Sequence, residues 1–260
     1  VDAFTDRDLR DHFDRHYRAG NLVVSLAGPV EPGAIEELVD RSFRDVPPGP
    51  RLVVPAPPTV GGPRVRYVES SGSQTDVRLS IPVGGERDRD AVALHLLSRV
   101  LDDGLSSRLH RRITDESGLA YDAFCAVDLY EDVGILDLGA TVEHDKVPEA
   151  VGALTELLQE LRDAPVSAEE VDRARRRYRW ALDATLDDGE AVAQFHGGAA
   201  LFDLPDTFDA LAQRVAELDG ERLWAAARRA LDPGRLHLTM VGMVDDDDLR
   251  AARAAARLRD

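Results

Sequence analysis

The sequence predicts an α+β fold, a mostly antiparallel sheet with helices packed on one face, preceded by an incomplete αβα segment. Three observations carry this. Strand-like runs come in adjacent pairs, 64–69 with 75–83 and 119–129 with 134–142, which reads as hairpin pairing. Helical patterns follow one another without a strand from about 146 to 230. Between the front end and these elements, residues 46–63 hold seven prolines and three glycines, which neither a helix nor a central strand tolerates.

The elements can be justified in order. Thr5-Asp6-Arg7-Asp8 is a capping-box start with Asp in place of Glu, and Leu9, Phe13 and Tyr17 follow at helical spacing. Residues 21–27 read as a buried strand, ended by Gly28-Pro29. Residues 32–43 form a second amphipathic helix with Ile35, Leu38, Val39 and Phe43 on one face. One strand cannot satisfy its own backbone groups. Residues 1–47 are therefore expected to be the C-terminal remnant of a first domain, 48–63 a linker, and 64–260 a second domain. In that second domain two strands lead to a helix over 91–101. Asp103-Gly104 breaks it, and Ser106 starts another helix, capped by a serine, that runs to about Glu116. A strand pair turns near Glu131-Asp132. Helices follow at about 146–162, 168–186, 190–202, 206–217 and 220–230, and Ser167 to Glu170 is a capping box for the second of these. Residues 235–241 make a last strand. Asp245 to Asp248 open a last helix, where carboxylates meet the positive end of its dipole.

Bulk properties exclude some functions. The chain has 260 residues and a formal net charge of −17. A surface that acidic repels phosphate backbones, which argues against nucleic acid and anionic membranes as partners. No run reaches the roughly 18 apolar residues a membrane span requires. The chain opens at Val1 and runs straight into a helix, which suggests processing or truncation; a soluble cytoplasmic or periplasmic protein is expected. Its one cysteine, Cys125, sits in an apolar strand-like run and reads as a packed hydrophobe rather than a nucleophile.

No complete catalytic constellation is present. His12 and His16 lie one helical turn apart, a spacing that can hold zinc. A zinc peptidase also needs a glutamate base beside one of them and a third ligand. H-E-x-x-H would place that glutamate at Phe13, and H-x-x-E-H would place it at Arg15. Arginine cannot accept a proton and repels the metal. The other histidines are scattered, and no phosphate-binding glycine loop or G-x-S-x-G elbow occurs.

One stretch stands out: Gly104-Leu105-Ser106-Ser107-Arg108-Leu109, then His110 to Glu116, then Ser117-Gly118-Leu119-Ala120-Tyr121. By its chemistry alone it is a helix-to-strand corner with local positive charge. It resembles the signature in the second half of the pitrilysin/insulinase family of zinc peptidases, which includes mitochondrial processing peptidase. The opening agrees as well: Asp8-Leu9, His16-Tyr17-Arg18, Asn21-Leu22-Val23-Val24, Gly28, and Phe43-Arg44-Asp45-Val46-Pro47. The resemblance runs from about Phe4 to the last strand.

The resemblance implies half of a metallopeptidase clamshell, two homologous α+β halves around a chamber. It places the zinc ligands, H-x-x-E-H plus a downstream glutamate, in the first half, ahead of the segment seen here. No cofactor is expected in this chain; zinc is expected in that first-half segment or in a partner. In active relatives an arginine and a tyrosine seven residues apart hold the substrate backbone. Tyr121 matches the tyrosine, whereas Thr114 stands at the arginine position; Arg111 or Arg112, just before it on the helix, is the candidate substitute. The expected function is the substrate-binding or scaffolding half of a zinc-dependent metalloendopeptidase-like protein, inactive by itself. The expected partners are a peptide or unfolded polypeptide and a zinc-bearing homologous half. The alternative is a family member that has lost catalysis and acts as an assembly or regulatory subunit.

Overall fold

The structure, a computed structural model, describes residues 3–53, 61–204 and 207–257. These fall into two compact units. One comprises residues 1–56 with 182–207, and the other 57–181 with 208–260. Part of the proline-rich stretch, 54–60, lies outside the described residues.

The first unit contains α1 (Asp6–His16) and α2 (Pro32–Ser42). The capping box of α1 forms as its sequence requires: Asp8 N–H donates to Thr5 Oγ1 at 3.3 Å, and the Thr5 N–H donates back to the Asp8 carboxylate at 2.8 Å. Neither helix buries a residue. The strand expected at 21–27 is not formed; Leu22, Val23, Val24 and Leu26 are exposed in irregular backbone. The reason is the one that makes a lone strand unstable. Among the described residues of this unit no second strand offers a ladder, so its N–H and C=O groups stay with water.

The second unit is built on five strands: β1 (Arg64–Glu69), β2 (Thr75–Val83), β3 (Ala123–Leu129), β4 (Gly134–Val142) and β5 (His237–Gly242). Their order is β1-β5-β2-β4-β3. The β3–β4 hairpin forms as expected, but β1 and β2 do not pair. β5 lies between them, parallel to β1 and antiparallel to β2. The insertion buries Leu238 and Met240 at the sheet centre, which a hairpin of β1 and β2 would leave without a site. Tyr67 locks the arrangement: its hydroxyl donates to Gly242 O at 3.0 Å and accepts from Val244 N–H at 3.2 Å.

Period-two alternation sorts the side chains onto two faces. A row of Val65, Leu238, Leu79, Leu138 and Cys125 crosses the core face. Against the sheet pack α3 (Ala91–Leu101), α4 (Val147–Asp163) and α8 (Gly220–Ala230); α9 (Asp246–Ala255) lies on α4. α3 is buried along most of its length, from Ala91 to Leu101. The remaining helices are α5 (Ala168–Leu186), α6 (Gly189–Leu201) and α7 (Phe208–Glu217). On the opposite, open face the row is Arg66, Thr239, Arg78, Gly139 and Phe124. A Cβ on Gly139 would sit 2.5 Å from the Phe124 ring and 2.9 Å from Val77 O, so only glycine lets that ring lie across the strand. Arg78 stacks over the same ring at 5.1 Å.

Candidate functional site

The distinctive stretch forms the corner between α3 and β3. Asp102 ends α3, and its carboxylate accepts from the Cys125 N–H at 2.9 Å, tying the loop to the sheet. Asp103 accepts from Arg99 at 2.9 Å and lies 3.6 Å from Arg177. Gly104 follows with φ +92, in the region that favours glycine. A short α-helical lead at Arg108 and Leu109 passes into a π-helix, His110–Glu116, where the sequence suggests ordinary α-helix. The wider turn keeps Leu109 and Ile113 fully buried. The helix starts at Arg108 rather than at Ser106, and no serine caps it: the Ser107 hydroxyl is buried without a partner among the described residues. Gly118, at φ +60, ends the helix as expected. Leu119 and Ala120 are then drawn into the core, and Tyr121 is left 98 % exposed.

Two ionic clamps hold this corner. Arg108, largely buried, places its guanidinium fork on Glu170, with Nε donating to Oε1 at 2.6 Å and Nη2 to Oε2 at 2.9 Å. The same carboxylate completes the capping box of α5, accepting from the Ser167 hydroxyl at 2.8 Å. The hydrogen bonds from Arg108 outweigh the burial that opposes them, and with those from Ser167 they push Glu170 down to about 2. Arg112 donates to Glu156 at 3.1 Å and to Glu160 at 2.6 Å, both on α4. The clamps border a cleft of about 900 Å³ whose walls include Ser106, Arg111, Gln159 and Arg173. The sequence reading noted Arg108 as local charge and Glu170 as a cap. Nothing local in the sequence signals that the two meet across 62 positions.

The candidate substrate-binding residues thus have different surroundings. Tyr121 presents its ring to solvent. The Thr114 hydroxyl is buried and lacks a partner among the described residues. Arg112 is engaged with two glutamates, while Arg111 is exposed beside Glu116 at 3.5 Å. Cys125 is no nucleophile: burial, with Asp102 and Asp137 adding to it, pushes its thiol well above the usual value.

The residues do not fit a zinc ion. His12 and His16 stack on each other with centroids 4.2 Å apart, and no group of three His, Cys, Asp or Glu able to hold a metal occurs among the described residues. Calorimetric titration of zinc into the chain at neutral pH is expected to give no one-to-one binding. Tight uptake that disappears in a His12→Ala/His16→Ala variant would refute this. No helix among the described residues is long and apolar enough to cross a membrane.

Comparison with known proteins points to one family. A family model described as the peptidase M16 inactive domain matches residues 3–178. A Mycobacterium tuberculosis protein named as an uncharacterized zinc protease is 27 % identical over 236 residues, covering 89 % of this chain and 54 % of its own length. The chain therefore spans about half the length of the curated relatives it matches. A Pseudomonas fluorescens structure described as a peptidase M16 inactive domain superposes with a TM-score of 0.85 at 20 % identity, over 92 % of this chain and 57 % of that one. A Helicobacter pylori protease structure gives 0.80 at 21 % identity, over 92 % and 60 %. At those identities the two structures speak for the fold.

Proposed function

Because the chain belongs to the peptidase M16 inactive-domain family, we propose that it is the substrate-holding half of a zinc-dependent metalloendopeptidase-like protein. The observation that carries the reading is the corner at 102–121. It is clamped to α4 and α5 by Arg108 and Arg112, and it projects the ring of Tyr121, whose hydroxyl has no partner among the described residues. A rigid corner with a free phenol is suited to hydrogen-bonding a peptide backbone, since little order remains to be gained on binding.

Zinc chemistry is assigned to a homologous half carrying H-x-x-E-H, because the residues here do not fit the metal. This chain contributes chamber wall and backbone contacts, with Tyr121 as first donor and Thr114 and Arg111 on the helix that leads to it. Arg112 is a positioning residue in this reading, since Glu156 and Glu160 occupy it. Residues 1–47 are the end of a first-half domain and 48–63 its linker to the second. Support comes from α1 and α2, which bury nothing, and from Phe4, Leu9, Phe13 and Phe43, exposed in or beside them, a surface that suits cover by the rest of such a domain.

A second reading is favoured by one observation. Thr114, where active relatives carry arginine, has a buried hydroxyl and brings no charge. A chain that has lost part of its substrate grip would serve as an assembly or regulatory subunit. Mixing the chain with its zinc-bearing half and a fluorogenic peptide separates the two. Cleavage well above that of the zinc half alone is expected. A stable complex with no gain in cleavage would establish the second reading and overturn the first.

A further inference from the structure

The open face of the sheet carries a charge pattern that the corner does not explain. Arg64 and Arg66 stand two residues apart on the edge strand β1, so both project to the open face. Arg64 pairs with His237 of β5 and His237 with Ser80 of β2, and Arg235 just precedes β5. Arg64, Arg66 and Arg235 are exposed, and among the described residues none of them forms an ion pair with a carboxylate. Arg78, further along the face, is different: it lies 3.6 Å from Asp137. The carboxylates of this face, Asp76, Asp137 and Asp128, are on β2, β4 and β3, and none of them is on β1 or β5. A chain of net charge −17 thus gathers unneutralised positive charge at one end of one sheet face.

That end is also hollow. A cleft of about 720 Å³ opens there, with Arg64, Arg66, Ser80, Pro82, Ile135 and His237 among its walls. The His237 Nε2 is buried with no partner among the described residues. Burial first, then Arg64 and Arg235, push its imidazole below the usual value, so at neutral pH the ring is uncharged and can still donate or accept.

We propose that this end of the open face binds an extended acidic peptide segment, one with Asp or Glu at alternate positions. The match is geometric as well as electrostatic. Residues two apart on a strand are about 6.6 Å apart on the same side. An extended peptide repeats its side chains at the same interval, so an acidic-x-acidic segment laid along β1 sets one carboxylate against Arg64 and the next against Arg66. Planar guanidinium groups suit that pairing better than ammonium groups would. The proposal rests on the reading that the chain holds peptide, and it deepens that reading by naming the class of peptide held.

Fluorescence anisotropy with two labelled peptides tests it: one alternates Thr and Glu, and the other has Gln at every Glu. The Glu peptide is expected to bind the full chain about tenfold more tightly at low salt, against the repulsion of the acidic surface, with the gap shrinking in 0.5 M salt. Arg64→Gln/Arg66→Gln should erase the gap, leaving the Gln peptide's affinity and the melting curve unchanged, since both side chains are exposed. Equal affinity for the two peptides, or a preference that survives in the double variant, overturns the proposal alone. If neither peptide binds, the peptide-holding reading falls with it.

Discussion

Replacing Arg108 with alanine is expected to cost about 3 kcal/mol of stability, because it strips a largely buried glutamate of its partner. Arg108 and Glu170 are 14 % and 17 % exposed, so water cannot replace the lost fork. The loss corresponds to a fall in Tm of roughly 6–12 °C for a unit of this size. Removing both charges should cost less than removing one. An Arg108→Met/Glu170→Gln variant keeps a hydrogen-bond acceptor at the α5 cap and is expected to melt above Arg108→Ala. An Arg108→Ala chain that melts with the parent would show the fork to be energetically idle.

The same pair sets a pH dependence with a definite sign. Glu170 is held at about 2 in the folded chain, against an ordinary value of 4.5. Its folded value is depressed, so its stabilisation is complete above about 4.5 and is lost as pH falls from there toward 2. Between pH 6 and pH 3 the parent should lose about 1–2 kcal/mol more than Glu170→Gln does, after allowance for partial exposure. Urea melts at pH 6 and pH 3 read the difference. Parallel losses in the two proteins would place the acid sensitivity elsewhere.

Under the proposed substrate-holding role, replacing Tyr121 with phenylalanine is expected to lower kcat/KM of the chain mixed with its zinc-bearing half by about 10- to 100-fold, less than the loss of an oxyanion-hole donor because the contact is to the substrate backbone. Stability should not change. The side chain is 98 % exposed, and its hydroxyl has no partner among the described residues. This separation makes the variant informative, because a loss of activity cannot then be a loss of fold. Turnover equal to the parent with a normal melting curve would remove Tyr121 from the substrate contacts.

How much of this was legible in the sequence depends on how local each feature is. Both capping boxes could be read directly, since Thr5–Asp8 and Ser167–Glu170 close hydrogen bonds over three residues. The bounds of β1, β2, β4 and α3 could be read too, since a period of two or of 3.6 is visible within one element. Gly118 could be placed because a left-handed residue must follow a helix that stops there. The alternation that puts Arg64 and Arg66 on one face was equally present, but alternation does not say that the facing carboxylates lie on other strands.

Tertiary structure alone decided the rest. It set β5 between β1 and β2, because burying Leu238 and Met240 at the sheet centre outweighs the local advantage of a hairpin. It left 21–27 without strand pairing, because a ladder is a property of two segments. It widened the helix at 110–116 into a π-turn that buries Leu109 and Ile113, and it brought Arg108 to Glu170. What the sequence determined by itself was therefore the set of elements, their caps and the family to which they belong. What it did not determine was which distant groups meet, because those contacts form only once the burial of the whole core makes up for the chain entropy of joining them.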